Sequence, residues 1–190
     1  MRYQYVMKLL SSVIALMVFA LIAPFQGFGQ RDDHQKSPGE RKIQFKIPES
    51  LKAEHVELHE DLARALKAGG KTAEAARAVE EVLHPHFVKE EEYALPPLGL
   101  LSSLAEGNAT PEMRTVIAMT DKLKTDLPAM LREHKAIVAA LEKLSATAKQ
   151  EGKPEHALFA EKLMIHARNE EEVLYPAAIL VGEYLKMKLK

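Results

Sequence analysis

The amino-acid sequence predicts an all-α fold: an up-down-up-down four-helix bundle with a short C-terminal helix. Three observations carry that prediction. Apolar residues recur at three- and four-residue steps through four long segments, no stretch alternates as a strand would, and Gly or Pro marks the breaks between segments. A chain of 190 residues, 47% hydrophobic and 28% charged, suits one domain with a sizeable core plus an appended segment.

The appended segment comes first. Arg2 and Lys8 precede an apolar run from Leu9 to Ala23, followed by Pro24 and the small-x-small pattern Gly27-Phe28-Gly29. Residues 1–30 therefore read as a secretory signal, cleaved near Gly29 or Gln30 or retained as a membrane anchor. The run is shorter than the roughly 20 residues a spanning helix needs, which favours cleavage. Either outcome places the remainder outside the cytoplasm, in the periplasm or the extracellular space. Residues 31–49 are polar, contain Pro38 and Gly39, and read as a flexible tether.

The bundle is expected over 50–190. Ser50 is a suitable N-cap for a first helix, which Gly69-Gly70 stops. Thr72 can cap a second helix, ended by Pro96-Pro97. Thr110-Pro111 opens a third, which Pro128 should kink or split before Gly152. A fourth runs from about Pro154 to Tyr175, where Pro176 is expected to interrupt it, and residues 177–187 form the terminal helix. The connections at 69–71 and 152–153 are short, so the four rods pack most simply as two antiparallel hairpins joined by the loop from Leu95 to Ala109.

Composition excludes several functions. A formal net charge of -1 with scattered basic residues gives no polyanion-binding surface, so nucleic acid is not an expected partner. With no cysteine, disulfides, thiolate metal sites and cysteine nucleophiles are ruled out, and any metal must use nitrogen and oxygen ligands. No nucleophile, base and orienting group stand together as acyl or phosphoryl transfer would need.

The informative signal is an internal repeat. His86 is followed by Glu90, Glu91, Glu92 and Pro96; His166 is followed at the same spacings by Glu170, Glu171, Glu172 and Pro176. Val79, Leu83, His86, Glu90 and Tyr93 step by four and three, as do Phe159, Leu163, His166, Glu170 and Val173. The first His and Glu of each copy therefore fall on the core seam, one turn apart. His134 lies on the stripe Leu127, Leu131, His134, Val138, Leu141, and His55 and His59 share the stripe Leu51, His55, His59, Leu62, Leu66. Counting from the first turn places His55 opposite His86, with His59 one turn nearer the loop.

Taken singly, each has a plainer reading. His134 alone would be a satisfied core histidine, and His55 with His59 a solvated helix face. Val56 stands where a zinc-protease helix would need its glutamate. Glu81 to His84 has ferritin-type spacing but no second copy, and His34, His84 and His156 read as solvated. Glu91 and Glu171 read as surface charges that could also hydrogen-bond a ligand histidine. Jointly, however, two carboxylates and four or five imidazoles in an apolar core would cost several kcal/mol per ionised group if unpaired. Two divalent cations, bridged by Glu90 and Glu170 and capped by His86, His134, His166 and His55 or His59, would satisfy them together. Such a donor set suits iron, manganese or zinc.

These residues resemble the hemerythrin-like family, with its His-His-Glu cation-binding pattern, over about Ser50 to Tyr184. The resemblance implies a four-helix bundle holding two iron ions (Fe2+/Fe3+), with manganese or zinc as alternatives, and a ligand such as dioxygen, another diatomic or peroxide bound for storage, delivery or sensing. An enzyme that reduces peroxide or nitric oxide would use the same ligands, and a metal-free interaction module is the third reading. Hemerythrin proper carries its extra histidine on the third helix. Here positions four away from His134 are Met130 and Val138, and the histidine pair is on the first helix instead.

Overall fold

The computed structural model describes residues 45–190. The expected signal segment and most of the expected tether lie outside the described residues. Six α-helices follow: α1 Glu49–Leu66, α2 Gly70–Lys89, α3 Leu101–Ala105, α4 Arg114–Gln150, α5 Pro154–Asn169 and α6 Tyr175–Lys188. No strand occurs among the described residues, and no described helix is long and apolar enough to cross a membrane.

Four rods enclose the core. α1 packs on α2 and α5, and α4 packs on α2, α5 and α6, so α1, α2, α4 and α5 close a ring. Gly69 and Gly70, both with positive φ, turn the chain from α1 into α2, a conformation that costs a residue with a Cβ. The loop expected between the hairpins is itself helical, with a 3₁₀ turn at Pro96–Leu100 followed by α3.

Helix starts and interruptions differ from expectation in specific ways. α1 begins at Glu49 behind Pro48, so Ser50 is inside the helix and caps nothing. α2 begins at Gly70, so Thr72 is in the first turn, buried rather than capping. There the Thr72 hydroxyl donates to Glu151 (2.7 Å), and Glu151 also accepts the Lys71 and Thr72 amides. Pro128 neither splits nor ends α4, which is one helix of 37 residues. Pro128 and Lys124, whose carbonyl loses its partner, are both solvent-exposed, so water can satisfy that group.

The chain also stays helical past Pro176. Between α5 and α6 lies a wide π turn, Glu170–Leu174, and a matching one, Glu90–Ala94, follows α2. In each, the amide five residues after the glutamate donates to that glutamate's carbonyl: Leu95 to Glu90 and Tyr175 to Glu170. A π turn absorbs one extra residue, so the seam shifts by one beyond it. Tyr175 is consequently turned inward and fully buried; Val173, expected in the core, is 53% exposed, although Tyr93 at the matching position of the first π turn is buried.

The core is layered. One apolar cluster contains Leu58 and Leu62, Val79 and Leu83, Ile137 and Leu141, and Phe159 and Leu163. A second contains Tyr93, Leu95, Leu123, Met130, Tyr175 and Ala178, with Ile47 and Leu51 against it. A third, around Val116, Val181 and Leu185, receives Phe45. Phe45 and Ile47, on the stretch read as tether, thus contribute apolar cover to the bundle. Where the first and second clusters meet, each rod contributes a buried histidine, and with Glu90 and Glu170 these form the waist.

Candidate metal centre

The waist holds His55 on α1, His86 on α2 with Glu90 just beyond, His134 on α4, and His166 on α5 with Glu170 just beyond. All six are buried to 2% exposure or less. They form two overlapping groups. Ligand atoms of His86, Glu90, His134 and Glu170 lie within 4.8 Å of one another, and so do those of His55, His166 and Glu170.

The histidines pair across the hairpins. His86 and His134 approach with their Nε2 atoms 2.7 Å apart, and the His55 and His166 rings are 5.1 Å apart between centroids. This corrects the expectation that His55 would face His86. Counting from the turn gives the level along the helix correctly but not which neighbour a side chain turns toward.

Both carboxylates straddle the two pairs. Glu90 Oε1 lies 3.1 Å from His86 Nε2 and 3.9 Å from His134 Nε2, while its Oε2 is 4.0 Å from His55 Nε2. Glu170 Oε2 lies 3.5 Å from His134 Nε2, while its Oε1 is 3.0 Å from His166 Nε2 and 3.6 Å from His55 Nε2.

Behind each imidazole stands another carboxylate. Glu133 is 2.9 Å from His86 Nδ1 and Glu171 is 2.9 Å from His134 Nδ1; Glu54 is 3.1 Å from His166 Nδ1 and Glu91 is 3.5 Å from His55 Nδ1. The Glu133 and Glu171 contacts are hydrogen bonds that fix the orientation of His86 and His134, whereas Glu91 and Glu54 stand at ion-pair distance from His55 and His166 without hydrogen-bonding geometry.

Electrostatics follow from this packing. Burial opposes protonation of His134, but Glu170 and Glu90 override it and push the imidazole up to about 10. His166 is pushed up to about 9 in the same way, burial opposing and Glu170 and Glu54 raising. Burial alone would raise the Glu170 carboxyl, yet His134, His166 and His55 hold it well below the usual carboxylate range. The waist thus holds buried anionic charge that attracts positive charge, and a metal cation can replace protons in that role.

A comparison with protein-family models matches residues 46–178 to the hemerythrin HHE cation binding domain. The chain belongs to the hemerythrin HHE cation-binding family. Comparisons with curated proteins and with solved structures return no match.

Within this HHE domain, six of the seven residues singled out in the sequence converge, and His59 does not. It is exposed, on the outer side of α1, with its ring edge against Phe87. A residue four after His55 would share its face on an ideal helix, but Leu58 takes the inward position and is fully buried. His84 is exposed as expected, whereas His156 is buried at the start of α5.

The sequence reading missed three groups of this HHE domain. Glu54 and Glu133 each immediately precede a waist histidine, so the recurring dipeptide Glu-His at 54–55 and 133–134 was the available signal. Tyr175 is the third. Its hydroxyl donates to Glu90 and lies 3.3 Å from Nε2 of both His86 and His134. Burial, then the negative charges of Glu90 and Glu170, raise its ionisation far above the usual phenol value, so it keeps its proton. No periodic rule points to Tyr175, because it reaches the waist only through the π turn.

The donor set fits a bound metal cation. Six buried side-chain atoms among the described residues lack a hydrogen-bond partner: both ring nitrogens of His55 and of His166, Glu90 Oε2 and Glu170 Oε1. Buried polar groups are seldom left so. All six belong to residues that could share a metal, and no Lys or Arg lies among them.

Proposed function

We propose that the domain is a non-heme di-iron protein, exported from the cytoplasm, that binds dioxygen or a related small ligand such as peroxide. The observation that carries the reading is the division of the two carboxylates: Glu90 and Glu170 each turn one oxygen toward His86 and His134 and the other toward the His55 side. That is what two bridged cations require, with His55, His86, His134 and His166 as the remaining ligands. Nitrogen and oxygen donors without sulfur support iron, with manganese or zinc as alternatives.

A bound iron pair would supply two adjacent redox-active centres that can take a small oxygen ligand. The chain's own residues supply the rest. Glu133 and Glu171 orient the His86 and His134 rings, Glu54 and Glu91 add negative charge beside His166 and His55, Tyr175 holds a proton beside Glu90, and the flanking apolar clusters keep bulk water out. Export rests on the charged and apolar pattern of residues 1–30.

The test is elemental analysis after iron-replete expression, followed by anaerobic reduction and rapid mixing with dioxygen and with peroxide. About two irons per chain and a new visible absorption on mixing are expected. Less than one metal per chain overturns the reading. A stable coloured adduct with dioxygen supports carriage, and rapid consumption of peroxide supports catalysis.

A further inference from the structure

The two halves of the waist are built alike but satisfied differently. Exchanging the repeats relates His86 to His166, Glu90 to Glu170 and His134 to His55. The same exchange relates Tyr175, five residues after Glu170, to Leu95, five after Glu90. Leu95 is fully buried and has no polar atom to offer.

The consequence is visible in the hydrogen bonds. On the His86 and His134 side, both Nδ1 atoms donate to carboxylates at 2.9 Å, one of the two rings carries a second proton that it donates from Nε2 to the other's Nε2 at 2.7 Å, and the Tyr175 hydroxyl donates to Glu90 Oε1. No ring nitrogen of His86 or His134 lacks a partner there, nor does Glu90 Oε1. On the His55 and His166 side, both rings, Glu90 Oε2 and Glu170 Oε1 have none. His166 Nε2 is 3.0 Å from Glu170 Oε1, but not in hydrogen-bonding geometry.

Resting on the metal-binding reading above, we infer that the two positions load in order: the His55, His166, Glu170 side takes the first cation, and Tyr175 holds back the second. A cation entering the first side gives partners to buried atoms that lack them and breaks nothing. One entering the second must break the hydrogen bond between His86 and His134 and displace the phenol from Glu90, losing hydrogen bonds already made. Hydrogen bonds to charged groups contribute about 1.5–3 kcal/mol each, so losing one weakens the second step by about 10- to 100-fold. Tyr175 acts here as a positioning residue, through Glu90 and the two rings.

The experiment is anaerobic titration of the chelator-stripped full-length chain with cobalt(II) alone, followed by calorimetry and by the visible bands of the bound ion. Two steps separated by at least tenfold are expected. Tyr175→Phe should leave the first step unchanged and tighten the second about tenfold or more, narrowing the gap. His86→Ala should keep one tight ion per chain, and His166→Ala should lose the tight step. If His166→Ala fails to fold, the His86→Ala and Tyr175→Phe titrations still decide the matter. Two equal steps in the unaltered chain, or a Tyr175→Phe chain whose gap does not narrow, overturn the loading order while leaving metal binding intact. Failure to bind cobalt(II), iron(II) or zinc at all would overturn metal binding itself, and the order with it.

Discussion

A carboxylate oxygen of Glu90 lies within 4.8 Å of one of Glu170, although the two residues are 80 positions apart and both are buried to 1% exposure or less. Like charges held so close in a dry interior repel strongly unless cations stand between them. Glu90→Ala or Glu170→Ala should therefore lower metal content by at least half and reduce the melting temperature as well, because the remaining ligands lose their shared partner. Inductively coupled plasma analysis beside a thermal melt checks both. Full metal loading in either variant would show that the bridges are assigned wrongly.

His55 and His59 should behave oppositely, despite sharing a helix. His55 is at the waist, whereas His59 is exposed and packs against Phe87 away from it. His59→Ala is expected to retain its metal, and His55→Ala to lose the ion bound on its side. The same metal analysis distinguishes them, and equal losses would mean α1 is rotated in the loaded protein.

Glu133 and Glu54 are expected to matter without touching the metal. Each stands at the Nδ1 of a waist histidine, at 2.9 Å from His86 and 3.1 Å from His166. Replacing a carboxylate that orients a ligand histidine costs roughly 10- to 100-fold in affinity. Glu133→Ala and Glu54→Ala should show that loss in competition with a chelator, while circular dichroism stays unchanged. Unaltered affinity would reduce both to surface charges.

Glu151 gives a dependence on pH. A hydrogen bond from Lys153, one from the Thr72 hydroxyl, and the Lys71 and Thr72 amides hold its carboxyl down to about 2. A carboxyl depressed in the folded state stabilises fully above its ordinary value near 4.5, and that contribution fades as pH falls toward 2. The melting temperature of the native chain should exceed that of Glu151→Gln at neutral pH, with the gap closing between about pH 4.5 and 2. A gap that stays constant over this range would show that ionisation of Glu151 contributes nothing.

Gly182 leaves no room for a methyl group. A Cβ there would overlap the buried side chain of Thr120, whose hydroxyl is tied to the Ile117 carbonyl at 3.0 Å. Gly182→Ala should destabilise by about 1–3 kcal/mol in urea unfolding, the usual cost of overpacking, without changing metal stoichiometry. Stability equal to the native chain would mean that α4 and α6 separate easily.

Much of this was legible in the sequence, for a definite reason. His86 with Glu90 and His166 with Glu170 are one turn apart on apolar seams, and a 3.6-residue period projects such residues inward wherever the helix is regular. His134 and His55 obeyed the same rule. Legibility failed where the helix departs from that period or where the deciding contact crosses between rods. Val173, on the seam by count, is exposed while Tyr93 at the matching place is buried, a difference no period reports. Tyr175 reaches the waist only because the π turn before it holds an extra residue, which leaves no signature in residue types. The pairing of His86 with His134 depends on how α2 and α4 face each other, which counting along either helix does not report.

The paired wide turns make the chain tolerant of shortening at two places. Each accommodates one residue more than an ordinary helical turn, so deleting one residue within Glu90–Ala94 or Glu170–Leu174 would restore regular helix and leave everything downstream on its present face. In the second case Tyr175 would stand four residues after Glu170, one ordinary turn along the same side, and α6 would keep its seat on α4. A relative lacking that extra residue would hold its phenol at the waist with His, Glu and Tyr at plain one-turn spacing.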